Sequence, residues 1–390
     1  MLIKDNQLLI KFKGSNMARI NLINIPKTAR FSINVEIVRN ILNSLSLLAA
    51  SNKYDNINQF ITKVYTNLDK KIIRDNEIIM HGLHYAASPE NDFPNFQAYI
   101  DDLKTKDPYL LQTKLFQAYD RTSSYKANII SDSPVTITEA DQKRILSKKE
   151  YYFEYLSRCF TEENLDFSIE EEAYKYLINP DKMKNFFISH FQYMWDNYLK
   201  DEFEKNAPTL VNAVNEFNKI NFARLSAFEI VQKITGHDIE AEWSEKDWEL
   251  GWIKNSKKVI FVPSIHMGPY IGRSLRNETI YIFFTPRTTE AISFSSPDLT
   301  RTDISVRLNT LSDDTRLKIL KIIGMNHELS SKQIMDRLDL CQSAASRHLQ
   351  QLSATGYLNE RRQNSAKIYS LNTRFITKTF DAVSDYLLKN

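Results

Sequence analysis

The segment from Leu311 to Leu371 constrains the fold more than any other, because helix signals, turn residues and extended runs follow one another there without slack. In "DDTRLKILKIIG", Leu317, Leu320 and Ile323 recur at helical spacing, and the run ends at Gly324. Such spacing gathers apolar side chains on one helical face, and glycine commonly ends a helix. "LSSKQIMDRLD" opens on Ser330, suited to cap a helix start, and turns Ile334, Met335 and Leu338 inward. A tight turn, "LDLC", leads into "CQSAASRHLQQLSATG", a stretch of small and polar residues without an acid. "YLNERRQNSAKIYSLN" then has two extended arms around Gln363, Asn364 and Ser365, the pattern of a β-hairpin.

Helix, helix, turn, helix, hairpin is the order of a winged helix-turn-helix. The third of these helices divides by faces. Ala345, Leu349 and Leu352 recur at four and three and are expected to pack inward, with Ala345 allowing close approach to the preceding helix. Gln342, Ser343, Ser346 and Arg347 project elsewhere, grouped at the helix start, where a recognition helix meets base edges in the major groove. Glutamine can pair with adenine, arginine with guanine, and serine with base or phosphate. Arg361, Arg362 and Lys367 on the hairpin suit backbone phosphates or the minor groove, contacts that give salt-dependent affinity and little sequence choice. The competing expectation is a protein-interaction module whose winged helix no longer binds DNA.

"LSDDTRLKILKII", "ELSSKQIMDRLDLCQSAASRHLQQLSATGYLNERR" and "AKIYSLN" resemble the ArsR family of bacterial winged-helix transcription regulators. The similarity covers residues 311 to 371 well and about 295 to 390 loosely, and it centres on Gln342-Ser343-Ala344-Ala345-Ser346-Arg347-His348-Leu349. The resemblance implies a homodimer on a palindromic operator in double-stranded DNA, and the favoured function is a transcription repressor. It also implies that Gln342, Ser343, Ser346, Arg347 and His348 approach that DNA. Metal-sensing members carry a Cys-Val-Cys trio before the turn, and the matching positions here are Ser330, Ser331 and Lys332. An ammonium is a poor substitute for a thiolate, so no metal is expected there. In "TRFITKTFDAVSDYLLKN", Ile376, Phe380, Val383 and Leu387 form a seam at four, three and four. A dimer interface is the preferred use of that seam, over packing on the chain's own core.

Composition fits this reading. The net charge is only +3, but Leu311 to Asn390 holds 12 Lys and Arg against 8 Asp and Glu, so the positive excess sits in the last fifth of the chain. Hydrophobic residues at 42% and aromatics at 12% are enough for folded structure nearly throughout. Glycine is scarce, with 8 residues, and neither GxGxxG nor GxxxxGK[ST] occurs. Cys159 and Cys341 are too few for a zinc cluster of ordinary Cys spacing or for a secreted disulfide scaffold. No apolar run is long enough to span a membrane, and "MLIKDNQLLIKF", broken by Lys11, reads as a strand more than a leader. The expectation is a soluble, cytoplasmic protein.

The overall expectation is an α+β, mostly helical chain, with residues 1–290 as an effector-sensing or dimerisation region and 295–390 as the winged helix-turn-helix. Whether the front is one domain or two is open at this stage. "QLLIKFKGSNMARINLINI" reads as strand, and Ile37, Ile41, Leu45 and Leu48 mark a first amphipathic helix. Ile57, Phe60, Ile61, Val64 and Leu68 mark a second, with Asp55 or Asn56 as cap. Thr136 with Glu139, and Ser168 with Glu171, have capping-box spacing. Pro208 is expected to interrupt a helix or to start the next. "SKKVIFVPS" and "ETIYIFFTPR" read as two strands, and Ser296 and Pro297 as the start of a fresh helix.

Catalytic constellations are absent from this front part. No GxSxG or HExxH occurs, and no catalytic residue or cofactor is assigned. His81 and His84 share a helical face, which suits ordinary half-buried histidines more than a metal pair. "FVPSIHMGPYIG" carries His266 and Tyr270 on a turn-rich loop, and Trp195 lies in an aromatic stripe with Phe187, Phe191, Met194 and Tyr198. His266, Tyr270 and Trp195 are the candidate contacts for an unidentified small-molecule effector, with structural packing as the plainer alternative.

Overall fold

Two units share the chain: Met1–Ile23, Glu36–Ala50 and Lys63–Lys205 make the first, and Asn24–Val35, Ser51–Thr62 and Asn206–Asn390 the second. The computed structural model describes residues 2–4, 7–10, 18–21, 30–52, 54, 57–130, 137–160, 165–217, 225–236, 253, 256–276, 279–286, 299, 301–363 and 366–388. None of the described helices is long and apolar enough to cross a membrane.

The chain opens with strands β1 (Leu2–Lys4), β2 (Gln7–Ile10), β3 (Ala18–Asn21) and β4 (Phe31–Ile33). Helices α1 (Ile37–Ala49), α2 (Gln59–Asn67), α3 (Lys70–Glu77), α4 (His84–Ala87), α5 (Phe96–Thr105) and α6 (Pro108–Ile130) come next. Then follow α7 (Glu139–Ser147), α8 (Lys149–Cys159), α9 (Phe167–Leu177), α10 (Pro180–Met194), α11 (Lys200–Phe217) and α12 (Ala227–Thr235). In the first unit β1, β2 and β3 form an antiparallel meander, and the helices bury a core that includes Ile41, Leu45, Phe96, Tyr99, Phe116, Tyr152, Phe187 and Phe191.

Ile37, Ile41, Leu45 and Leu48 are all buried, as their spacing predicts. A π-helical turn, Ile78–Leu83, joins α3 to α4 and brings Gly82 so close to α9 that an added Cβ would lie 2.6 Å from the Ala173 Cβ. Beside it Tyr152 donates to the buried Glu170 carboxylate at 2.9 Å, and burial pushes that carboxyl up to about 7. His190, pushed down to about 4 by burial, sits 3.1 Å from the Asn76 amide oxygen.

Several boundary signals resolve differently from expectation. Asp55, Asn56 and Thr136 lie outside the described residues. The capping box at the start of α7 is Thr138 with Asp141, and Asp166 rather than Ser168 caps α9. Pro208 lies inside one continuous helix, α11.

The second unit is built on a four-stranded sheet of order β4-β5-β7-β6, with β5 (Lys258–Pro263), β6 (Gly272–Arg276) and β7 (Thr279–Phe284). The strands expected at 258–263 and 279–284 are there, and they run parallel to each other and to β4, while β6 is antiparallel to β7. Their interior positions are buried almost without alternation, the habit of parallel strands covered on both faces.

Besides most of α11 and all of α12, this unit holds α13 (Arg301–Leu311), α14 (Asp314–Asn326), β8 (Glu328–Ser330), α15 (Ser331–Leu338), α16 (Gln342–Ala354), β9 (Leu358–Gln363), β10 (Ala366–Leu371) and α17 (Thr373–Leu388). Ser296 and Pro297 fall outside the described residues. Ile319, Ile323, Leu329, Ile334, Leu349, Leu352, Tyr357, Leu358 and Tyr369 form one core. Leu317 is not part of it: α14 turns Arg316, Ile319 and Ile323 inward and leaves Leu317 exposed. Gly324 does not end α14, which runs on to Asn326. The glycine lets the helix approach β10, since a Cβ there would meet Leu371 Cδ1 at 3.0 Å.

Candidate nucleic-acid interface

The turn between α15 and α16 is short and well tied. Ser330 and Gln333 form a capping box at the start of α15, as the sequence predicts for Ser330. Asp339 ends that helix with φ 51°, a left-handed conformation that aspartate tolerates better than most residues. The Leu340 N–H then donates to the Met335 carbonyl at 3.1 Å, and Cys341 opens α16 in extended conformation.

Three buried side chains fix the rotation of α16 about its axis: Ala345, Leu349 and Leu352. The same rotation leaves Gln342, Ser343 and Ser346 exposed and Arg347 half-buried. Four of the five candidate residues of this helix therefore share one edge at its N-terminal end. His348 does not join them. It is turned inward, with Nδ1 3.8 Å from an Asp313 carboxylate oxygen, because its position falls on the core side of the helix. Cys341 is exposed, with Sγ 3.4 Å from the Ser343 hydroxyl, a contact that with nearby backbone N–H groups lowers its thiol below the ordinary range.

The hairpin pairs β9 with β10, Arg361 opposite Ile368 and Arg362 opposite Lys367, and β10 also pairs with β8 to complete a three-stranded antiparallel sheet. Arg361 and Lys367 of this hairpin each face an acid. Arg361 forms an ion pair with Glu328 of β8, its Nε 3.2 Å from one carboxylate oxygen, and this contact holds the Glu328 carboxyl below its usual range. Lys367 lies 2.7 Å from Glu360. Arg362 lies within β9, where its backbone is described.

The second group of candidates is divided between the two units. His266 and Tyr270 lie in the second unit on the loop after β5, while Trp195 belongs to the first unit, in a π-helical turn where its ring meets Phe96 at 5.3 Å. His266 stacks on Phe60 with centroids 5.1 Å apart, and Tyr270 meets Tyr54 edge-on at 4.9 Å. Of the two histidines weighed above as a metal pair, His81 has Nε2 3.3 Å from the Ala49 carbonyl, and burial pushes His84 down to about 4. No group of three or more metal-ligating side chains occurs among the described residues.

Sequence reasoning missed Gln351, which is fully buried in α16 and hydrogen-bonded at both ends of its amide. A signal was present, since His348, Gln351 and Thr355 recur at three and four, a polar row beside the apolar one. It also missed Glu328 and Glu360, the acids that face the hairpin's cations.

The sequence model of the bacterial regulatory protein family arsR matches residues 313–360. The transcriptional activator HlyU of Vibrio cholerae serotype O1 is 35% identical over 68 residues, which make up 17% of this chain and 62% of that protein. The chain thus spans less than two-thirds of that relative's length, and most of this chain lies outside the match. Over these residues the chain is similar to ArsR-type regulators, and α14, α15 and α16 with the β9–β10 hairpin have the arrangement of a winged helix-turn-helix, which indicates a DNA-binding module of transcription regulation.

Proposed function

We propose that the chain is a sequence-specific DNA-binding transcriptional regulator that works as a homodimer on a palindromic operator. The observation that carries this is the acid-free edge of Gln342, Ser343 and Ser346, held outward by the burial of Ala345, Leu349 and Leu352 on the opposite face. Arg347 stands at the border of that edge. Side chains at the start of such a helix reach base edges, while cations on the adjoining hairpin reach phosphates. In this reading Arg361, Arg362 and Lys367 supply salt-dependent affinity, and the residues of α16 supply sequence choice. His348 orients the helix from inside.

A two-fold operator needs a two-fold protein. Support comes from α17, where Phe380 is 52% and Leu387 70% exposed along the seam that the sequence pattern marks. Repression is the reading kept for the sign of regulation. Occupying a promoter needs only DNA binding, whereas activation needs a further contact with the transcription machinery. The front of the chain, cytoplasmic with the rest in this reading, modulates the spacing of the two recognition helices in response to a small-molecule effector. That effector must bind one arrangement better than the other.

The test is selection of duplexes from a random-sequence pool by the full-length chain, followed by Arg347→Ala with Arg361→Ala. Recovery of a two-fold-symmetric sequence, bound about tenfold or more weakly by the double variant while the fold persists, supports the reading. A wild-type chain that selects no duplex even in low salt overturns it and favours a protein-interaction module.

A further inference from the structure

A chain of buried hydrogen bonds runs from the sheet of the second unit into its winged helix. Tyr270 lies on the loop between β5 and β6, buried, and its hydroxyl donates to Gln351 Oε1 at 2.5 Å. Gln351 in turn donates through Nε2 to the Thr310 hydroxyl at 3.0 Å. Thr310 passes its own proton on to the Val306 carbonyl of α13, also at 3.0 Å. Gln351 and Thr310 are both fully buried.

We propose, resting on the DNA-binding reading, that Tyr270 is a positioning residue for DNA recognition: through Gln351 it sets the seating of α16. Gln351 stands nine residues beyond Gln342 on one helix, about 13 Å along its axis. A tilt of about 5° about Gln351 therefore displaces the Gln342 backbone by about 1 Å, enough to spoil a bidentate contact with a base. Held at both ends in a low-dielectric interior, the amide of Gln351 resists such a tilt. With one end released, it keeps a buried polar atom that must find another arrangement.

Thr310 shares α13 with a second set of buried hydrogen bonds. Beyond Thr310, Arg307 of α13 donates to the Thr379 hydroxyl of α17 at 3.1 Å, and the Tyr357 hydroxyl donates to the Arg307 carbonyl at 3.2 Å. The same contact at Tyr270 thus bears on α16 and on the two helices beside it. The loop itself is fastened to its neighbours. Asn58 donates to the Ile265 carbonyl at 2.8 Å, and Thr285, just past the end of β7, donates to the Gly268 carbonyl at 2.7 Å. A displacement of the ends of β5 and β7 is therefore passed to Tyr270 rather than absorbed by a slack loop.

The test uses the full-length chain with Tyr270→Phe, which keeps the ring and removes one hydroxyl, with Gln351→Leu, and with both together. Two quantities are read: the ratio of affinities for a selected duplex and for a random-sequence duplex, and amide hydrogen exchange across α16 without DNA. The expected result is a ratio about three- to tenfold lower in Tyr270→Phe, faster exchange in α16, and a double variant no worse than the poorer single one. A merely structural hydroxyl would lower the unfolding midpoint and leave the ratio within about twofold. That outcome, or full additivity of the two substitutions, overturns the proposal. If the wild-type chain prefers no duplex, it is the DNA-binding reading that has failed, and exchange in α16 then decides alone: unchanged rates in Tyr270→Phe overturn the positioning role.

Discussion

Gly356 stands against the ring of Phe375: it adopts φ +79°, and a Cβ at its position would come within 2.6 Å of the Phe375 Cδ1. The contact closes the C-terminal end of α16 over the start of α17, and the Tyr357 N–H that follows donates back to the Leu352 carbonyl at 2.9 Å.

Gly356→Ala is therefore expected to destabilise the second unit by about 2–4 kcal/mol, from left-handed strain and from the clash together. Urea unfolding followed by tyrosine fluorescence measures it. Phe375→Ala should cost less in this background than in the parent, because there it also removes the obstructing ring.

Glu328→Gln should tighten binding to duplex DNA in general, by less than about tenfold, because it frees Arg361 for phosphate and removes a carboxylate from the hairpin. The pair is exposed, so thermal stability should stay close to that of the parent. Titration against a random-sequence duplex at two salt concentrations checks it, and an affinity equal to or weaker than the parent's counts against a phosphate role for Arg361.

Glu170 gives a pH dependence of definite sign. Its carboxyl is raised by burial to about 7, so the folded chain holds a proton that the unfolded chain releases at ordinary carboxyl values. The stability this represents is present below pH 4.5 and is lost as pH rises through 7, on the order of 3 kcal/mol. Glu170→Gln should flatten the fall in stability between pH 5 and 8, as read from unfolding midpoints. His190, pushed down to about 4, acts oppositely and costs stability as pH drops below 6.5.

Phe380→Glu with Leu387→Glu is expected to yield monomers in light scattering and a weakened complex with a two-fold duplex. Both side chains are exposed in the single chain, so the fold should survive. Unchanged oligomeric state would remove α17 from the dimer surface.

Much of the second unit's winged helix could be read from the chain, because its signals are local. Ser330 caps its helix, Ala345, Leu349 and Leu352 go inside, and Leu358 to Leu371 makes a hairpin, each determined by neighbours a few residues away. What escaped detection depends on partners distant in sequence. The pairing of Phe31 with Val259 gives no periodic signal in either segment, and β8 is too short to show alternation. Leu317 was misjudged because Arg316 took the inward position, its guanidinium Nε donating to the Thr310 carbonyl at 2.6 Å. The outward edge of α16 was legible, but the inward turn of His348 depended on Asp313, and the acids opposite Arg361 and Lys367 were not visible from the basic residues alone.

The parallel pairing of β4 with β5 bears on how the molecule is made. Arg30 donates to the Ser256 carbonyl across 226 residues of chain, and β4 pairs with β5 over a similar separation, Phe31 opposite Val259. At the usual pace of a ribosome, the early strand waits roughly ten seconds or more for its neighbour to emerge. Through that interval its edge is open to any other extended segment nearby. Nascent copies on one message are the nearest such segments, so slowing translation between the two strands should raise the yield of aggregates from this chain.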